Sequence, residues 1–240
     1  MNPIRLTVFV LAMAWCALGA RALASEQIYT YTVVHPILGE IGSFTDRVNR
    51  SGVQTRVDTQ LHVLVRILGV VAYREESQGS EVLEGDRLIS LESDGDRDGQ
   101  PIDVHGRVQD GKFVVKSRAG TISAPLDITP SDPWLVRGAM QAKVVSTRTG
   151  QIVDVSVTGG ETVTIQLQGV SAHARHYLIT GDKRQEVWMA DNGIPLMMRS
   201  IEDNVPIDFV LKTPLAQAVP GFVAAAAPTA PQVRTNPSDR

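Results

Sequence analysis

Between residues 53 and 67 apolar and polar side chains alternate: Val53, Thr55, Val57, Thr59, Leu61, Val63, Val65 and Ile67 share one face, while Gln54, Arg56, Asp58, Gln60, His62 and Arg66 share the other. A period of two held for 15 residues marks a β-strand buried on one side and wet on the other. At about 3.4 Å per residue it would reach about 50 Å, longer than most strands. A ribbon of that length with one apolar face has to curl over something or change partners along its course.

The same period returns in Val163, Ile165 and Leu167, and again in Val205, Ile207, Phe209 and Leu211. Turn-forming groups punctuate the runs: Asn49-Arg50-Ser51-Gly52, Glu84-Gly85-Asp86, Gln109-Asp110-Gly111, Thr149-Gly150, Gly159-Gly160, Gly181-Asp182 and Asp191-Asn192-Gly193. This rhythm predicts an all-β domain over residues 25–213, a single curved antiparallel sheet or half-open barrel of about eleven strands. One short helix is expected from Trp134 to Ala142, after the capping and proline residues of Thr129 to Pro133, with Leu135, Val136 and Met140 covering the sheet. Beyond Thr213 five of the 13 prolines and the run Ala224 to Ala227 predict a disordered Ala/Pro-rich tail over residues 214–240.

Residues 1–24 have the form of a secretory signal peptide, with Arg5 ahead of an apolar run from Leu6 to Ala20 and a cleavage box Ala22-Leu23-Ala24. The run is too short for the roughly 20 residues of a spanning helix. The expected mature start is Ser25, the expected location periplasmic or secreted, and no transmembrane segment is expected after cleavage. Cys16, the only cysteine, leaves with the leader, so the mature chain is expected to have neither disulfides nor thiolate metal sites nor a cysteine nucleophile. Without Arg5 and Arg21 the formal charge moves from −3 to −5, which opposes binding to a phosphate backbone, and nucleic acid is not an expected partner.

A set of landmarks spans Tyr29 to Leu211: Glu40-Ile41-Gly42, then Tyr73 and Glu81 ahead of Gly85-Asp86-Arg87-Leu88, Ser90-Leu91, the acidic turn closed by Gly99, and Val187-Trp188 followed by Asp191 and Gly193. On these the chain resembles an uncharacterised family of secreted bacterial β-rich proteins, a domain of unknown function. More distantly it is similar to the periplasmic carriers that shelter lipoprotein acyl chains inside a half-open barrel. That likeness implies one antiparallel sheet curled round an apolar hollow; it says nothing decisive about activity.

Chemistry-bearing motifs are sparse. Asp94, Asp96 and Asp98, closed by Gly99, form the front half of a calcium loop, but position twelve is His105 instead of a bidentate Glu and the flanks alternate as strands do, so turn formation competes with a calcium site there. No other cofactor is expected. Among His35, His62, His105, His173 and His176, the last two stand three apart, which on a strand points them to opposite faces and argues against a zinc pair. Gly169-Val170-Ser171-Ala172-His173 lacks the closing glycine of a nucleophile elbow. An envelope hydrolase would have to assemble a dispersed site from residues such as Asp103, His105 and Ser171. Trp134, Met140, Trp188 and Met198 can line a pocket for an apolar ligand, because broad rings and flexible thioethers adapt to varied chains, though core filling uses the same residues. Together these features favour a non-enzymatic binding or scaffolding module whose concave face holds a lipid or other apolar small molecule. A dispersed-site hydrolase and a calcium-stabilised structural domain are the alternatives.

Overall fold

The computed structural model describes residues 25–132, 140–202 and 204–224. Fifteen strands follow in order: β1 Ser25–His35, β2 Gly39–Ser51, β3 Gln54–Ile67, β4 Val70–Glu84, β5 Arg87–Arg97, β6 Gln100–Gln109, β7 Lys112–Ser117, β8 Gly120–Ala124, β9 Thr129–Pro130, β10 Met140–Val145, β11 Ile152–Leu167, β12 Val170–Thr180, β13 Arg184–Met189, β14 Pro195–Glu202 and β15 Val205–Leu211, with one helical turn, α1, at Leu215–Ala218. All belong to a single sheet, ordered β8-β7-β6-β5-β4-β3-β2-β1-β15-β14-β13-β12-β11-β10-β9. Every neighbouring pair is antiparallel except β9 with β10, which run parallel.

The expected all-β curved sheet is therefore observed, with 15 strands in place of about eleven. Part of the difference lies in turns whose chemistry is hard to read. Leu68-Gly69 joins β3 to β4 and Gln168-Gly169 joins β11 to β12, and all four residues have positive φ (52°, 83°, 52° and 78°). Two-residue turns of this handedness match the strand twist and normally begin with Asn, Asp or Gly. Conversely, Gly159-Gly160 is no turn: it lies inside β11, where the register with β12 slips by one residue. The expected helix from Trp134 is also corrected in part. Residues 133–139 lie outside the described residues, and Met140 to Ala142 belong to β10, where Met140, Ala142 and Val144 alternate with Gln141 and Lys143. The domain boundary moves as well, because Leu215 and Ala218 of α1 are buried and continue the packed body past Thr213; residues 225–240 lie outside the described residues. The expected leader, residues 1–24, lies outside them too.

The antiparallel order alternates the turns between two ends of the molecule. At one end, the mouth, lie residues 36–38, 68–69, 98–99, 146–151 and 181–183; at the other, the base, lie 52–53, 85–86, 110–111, 168–169 and 190–194. The base is filled by a large cluster that includes Tyr29, Tyr31, Val187, Leu196 and Leu211, closed by Leu215 and Ala218 of α1. A second cluster joins the two limbs of the sheet: Val145 of β10 and Ile128 pack with Leu88, Leu91, Val104, Phe113, Val115 and Ala124 of β5 to β8. Edge strands β8 and β9 are not paired with each other. The sheet thus curls until its limbs meet through side chains, and it encloses a hollow.

A charged, amphipathic cavity at the mouth

Inside the curl lies a cavity of about 720 Å3, within the usual size of small-molecule sites, roughly 300–1,000 Å3. One wall is the concave face of β3, where Thr59, Leu61, Val63, Val65 and Ile67 line the space as their alternation requires. Val153, Val155 and Val157 of β11 and Val205, Ile207 and Phe209 of β15 supply further apolar wall. Strand β4 presents the opposite chemistry by the same parity: Tyr73, Glu75, Ser77, Gly79 and Glu81 all line the cavity.

At the mouth this polar stripe meets charges carried by distant segments. Lys183, from the β12–β13 turn, donates to both carboxylate oxygens of Glu202 on β14 at 2.5 and 2.6 Å. Arg97 on β5 reaches the same carboxylate at 3.0 Å and Arg148, in the β10–β11 loop, at 3.9 Å. Both guanidiniums also face Glu75 on β4, at 3.6 and 3.5 Å. The Tyr73 hydroxyl donates to Glu75 and accepts from Arg97 Nε at 3.0 Å. Two carboxylates thus face three full cations in a pocket where the Glu75 side chain is only 7% exposed. Burial favours the neutral form of the Lys183 amine, and although Glu202 supports its proton, the neighbouring Arg148 and Arg97 charges add to the downward shift of its pKa. Burial also works against the Glu202 carboxylate, yet Lys183 and Arg148 hold its pKa below the ordinary value. The Tyr73 hydroxyl is pushed up to about 12, by burial first and then by Glu75. Deeper in, Glu81 is buried, and desolvation together with the charge of Asp132 raises its carboxyl well above the usual range. Burial and the facing Asp132 charge both favour the neutral form of this carboxyl over its anion.

Of the residues expected to line a pocket, Met140 and Met198 do so. Trp188 does not: the alternation that turns Val187 to the cavity turns Trp188 away, where its ring stacks on His176 at 4.7 Å and lies 5.6 Å from the Arg199 guanidinium. Trp134 lies outside the described residues. Asp94, Asp96 and Asp98 are exposed and strung along β5 and its turn rather than wrapped round a point; Asp96 accepts from Gly99 N at 2.8 Å, and Asp98 and Gly99 make the turn with φ of 50° and 80°. Successive same-face residues of a strand stand about 7 Å apart, so Asp94 instead gathers with Asp103 and His105 across the β5–β6 pair, their ligand atoms within 4.8 Å. His105 is already engaged by Glu92 and, at 2.7 Å, by Asp103. This Asp–His pair is exposed, whereas Ser171 is buried on β12 and accepts from Gln166 at 2.7 Å. His173 and His176 have separate partners, Thr164 and Glu186.

The sequence reading missed the mouth cluster. The available signal was the placement of Tyr73, Glu75 and Glu81 at odd positions on β4, in phase across the β3–β4 pair with the apolar face of β3. Nothing in the one-dimensional pattern brings Arg97, Arg148, Lys183 and Glu202 to the same end, because that depends on the closure of the sheet.

Fold and cavity together define a class: a cupped, barrel-like all-β protein formed by one sheet round an amphipathic hollow. The chain belongs to the family described as a domain of unknown function, DUF6134, whose match covers residues 39–212. Among solved structures it is similar to a β-barrel-like protein of the domain of unknown function DUF1849 from Brucella abortus, at 13% identity and a TM-score of 0.58, covering 79% of this chain and 96% of that one. At that identity the likeness shows the fold alone. No curated protein matches. Among the described residues, no helix is long and apolar enough to cross a membrane.

Proposed function

We propose that this protein is an exported, non-enzymatic binding module of the bacterial envelope whose cavity holds a lipid-like amphiphile. The observation that carries this reading is the cavity itself: about 720 Å3, apolar along β3, β11 and β15, and charged at its mouth. Such a site suits a ligand with an aliphatic body and a polar head, because the body removes apolar surface from water while the head meets groups that are already ionised. The Arg97, Arg148 and Lys183 cations, set beside Glu75 and Glu202, offer hydrogen-bond donors to the oxygens of a polar head. The leader-like segment supports export, and N-terminal sequencing of the protein from its native compartment should then begin at Ser25.

The test is to purify the protein from its native compartment without detergent, extract it with organic solvent and identify the extract by mass spectrometry. A hydrophobic molecule in stoichiometric amount is expected, and adding palmitic acid to the stripped protein should raise its Tm as binding to the native state requires. If nothing co-purifies, and neither palmitic acid nor lysophosphatidylethanolamine moves the Tm, the carrier reading is wrong and a purely structural domain remains.

A further inference from the structure

Two hairpin tips stand side by side at the mouth, because β2 and β3 pair with Gly42 opposite Val63 and the same register carries Leu38 alongside Ile67. Both tips are aliphatic and bare. Ile37 is 86% exposed, Leu68 100% and Val70 69%, and Leu38, Ile67 and Val71 are also exposed. These six account for most of the large apolar side chains that the described surface leaves in water. Neither the run Ile67-Leu68-Gly69-Val70-Val71 nor Pro36-Ile37-Leu38 contains a charge. Leu68 is the sharpest case, since it is fully exposed at φ 52° in a position where a turn of this handedness favours Asn, Asp or Gly. It therefore contributes neither burial nor turn propensity to the fold. The β1–β2 tip is held in shape from within, as the backbone N–H groups of Ile37 and Leu38 donate to His35 Nδ1 at 3.1 and 3.2 Å.

We propose that these tips insert into a lipid surface and seat the cavity mouth against it. A protein partner would be met by a different composition, because the centres of protein interfaces are enriched in Tyr, Trp, Met and Arg. Apart from Pro36 and the turn glycine Gly69, the two tips hold only Ile, Leu and Val, side chains that enter hydrocarbon readily. The tips are continuous with the cavity: Leu38 and Ile67 line it while remaining exposed outside, so the apolar path from surface to interior is unbroken. Backbone groups in the tips belong to paired hairpins, which limits the polar surface that insertion would bury. The inference goes beyond ligand storage and does not depend on the cavity being filled.

The experiment uses the chain from Ser25, where β1 begins, so that the apolar run before it adds no affinity. Wild type and the double variant Leu68→Asn/Val70→Thr are floated with vesicles of phosphatidylethanolamine and phosphatidylglycerol at three to one. Asn suits positive φ and Thr suits a strand, so the variant should melt at or above the wild-type Tm. Wild type is expected to float with the vesicles and the variant to bind at least about tenfold more weakly, since a buried Leu side chain alone is worth on the order of tenfold or more in affinity. A wild type that stays at the bottom, or a variant of unchanged Tm that floats equally well, overturns the proposal. So does sedimentation showing a dimer that the variant abolishes while neither protein floats, which would assign the tips to a second copy. A co-purified ligand without flotation refutes the docking surface alone; flotation without a ligand refutes the carrier reading alone.

Discussion

Substituting Gly106 by Ala should destabilise the limb of the sheet that closes the cup. A Cβ built on Gly106 of β6 would stand 2.6 and 2.7 Å from Cε1 and Cζ of Phe113 and 3.3 Å from Leu91 Cβ. Phe113 is fully buried, and its ring lies over the bare glycine among Leu88, Val104, Val115 and Val145. The ring therefore has to shift into a packed cluster, at a cost of about 1–3 kcal/mol for overpacking. The lower backbone entropy of Ala in the unfolded chain offsets about 0.5–1 kcal/mol of that. The middle of these two ranges leaves a net loss of about 1 kcal/mol, a fall in Tm of about 2–4 °C for a domain of this size. Differential scanning calorimetry and urea denaturation measure it. Phe113→Leu, which vacates the space above Gly106, should cost stability alone yet make Gly106→Ala cheaper, with a coupling of about 0.5 kcal/mol or more in the double-mutant cycle. If Gly106→Ala is as stable as wild type, or its effect simply adds to that of Phe113→Leu, the ring does not depend on the missing side chain and the reasoning fails.

The cavity charges make further predictions. Glu81 has a raised pKa in the folded state, so the stability it contributes is full below the unfolded value near 4.5 and is lost as pH rises toward the folded one; Glu81→Gln should gain stability over wild type progressively above that pH, measured by urea midpoints between pH 4 and 8. Glu202 is the opposite case, with a lowered pKa; Glu202→Gln leaves Lys183 and Arg97 without their shared carboxylate and should cost about 1–2 kcal/mol at pH 7, the deficit shrinking as pH falls below the ordinary Glu range and wild type becomes protonated too. Since Asp94, Asp96 and Asp98 follow a strand into a tight turn, EDTA should leave the Tm unchanged, and a fall on chelation reversed by calcium would restore the metal reading.

How far the sequence could be read depended on whether the deciding contact was local. The 53–67 alternation is local, and from Thr59 to Ile67 β3 lines the cavity with the side chains that its pattern selects, while Val57 packs in the base cluster and Val53 lies exposed in the turn before the strand. Turns made by Asp110-Gly111 or Gly85 announce themselves, whereas Leu68-Gly69 does not, because a leucine at positive φ contradicts the usual chemistry of the turn. Met140 was legible as a pocket residue but not as part of a strand, for the prolines just upstream resemble a helix start. Trp188 was misplaced by composition: a large ring suggests a pocket, while strand parity assigns it to the other face beside His176. The mouth cluster was invisible, since Arg97 and Glu202 are 105 residues apart and meet only when the cup closes.

Because β8 and β9 do not pair with each other, the wall has a seam held by side chains such as Ile128 and Val145 against Phe113 rather than by backbone rungs. Parting the two limbs along this line would expose the Phe113 cluster but break no rung of the ladder, as in a cuff rather than a pipe.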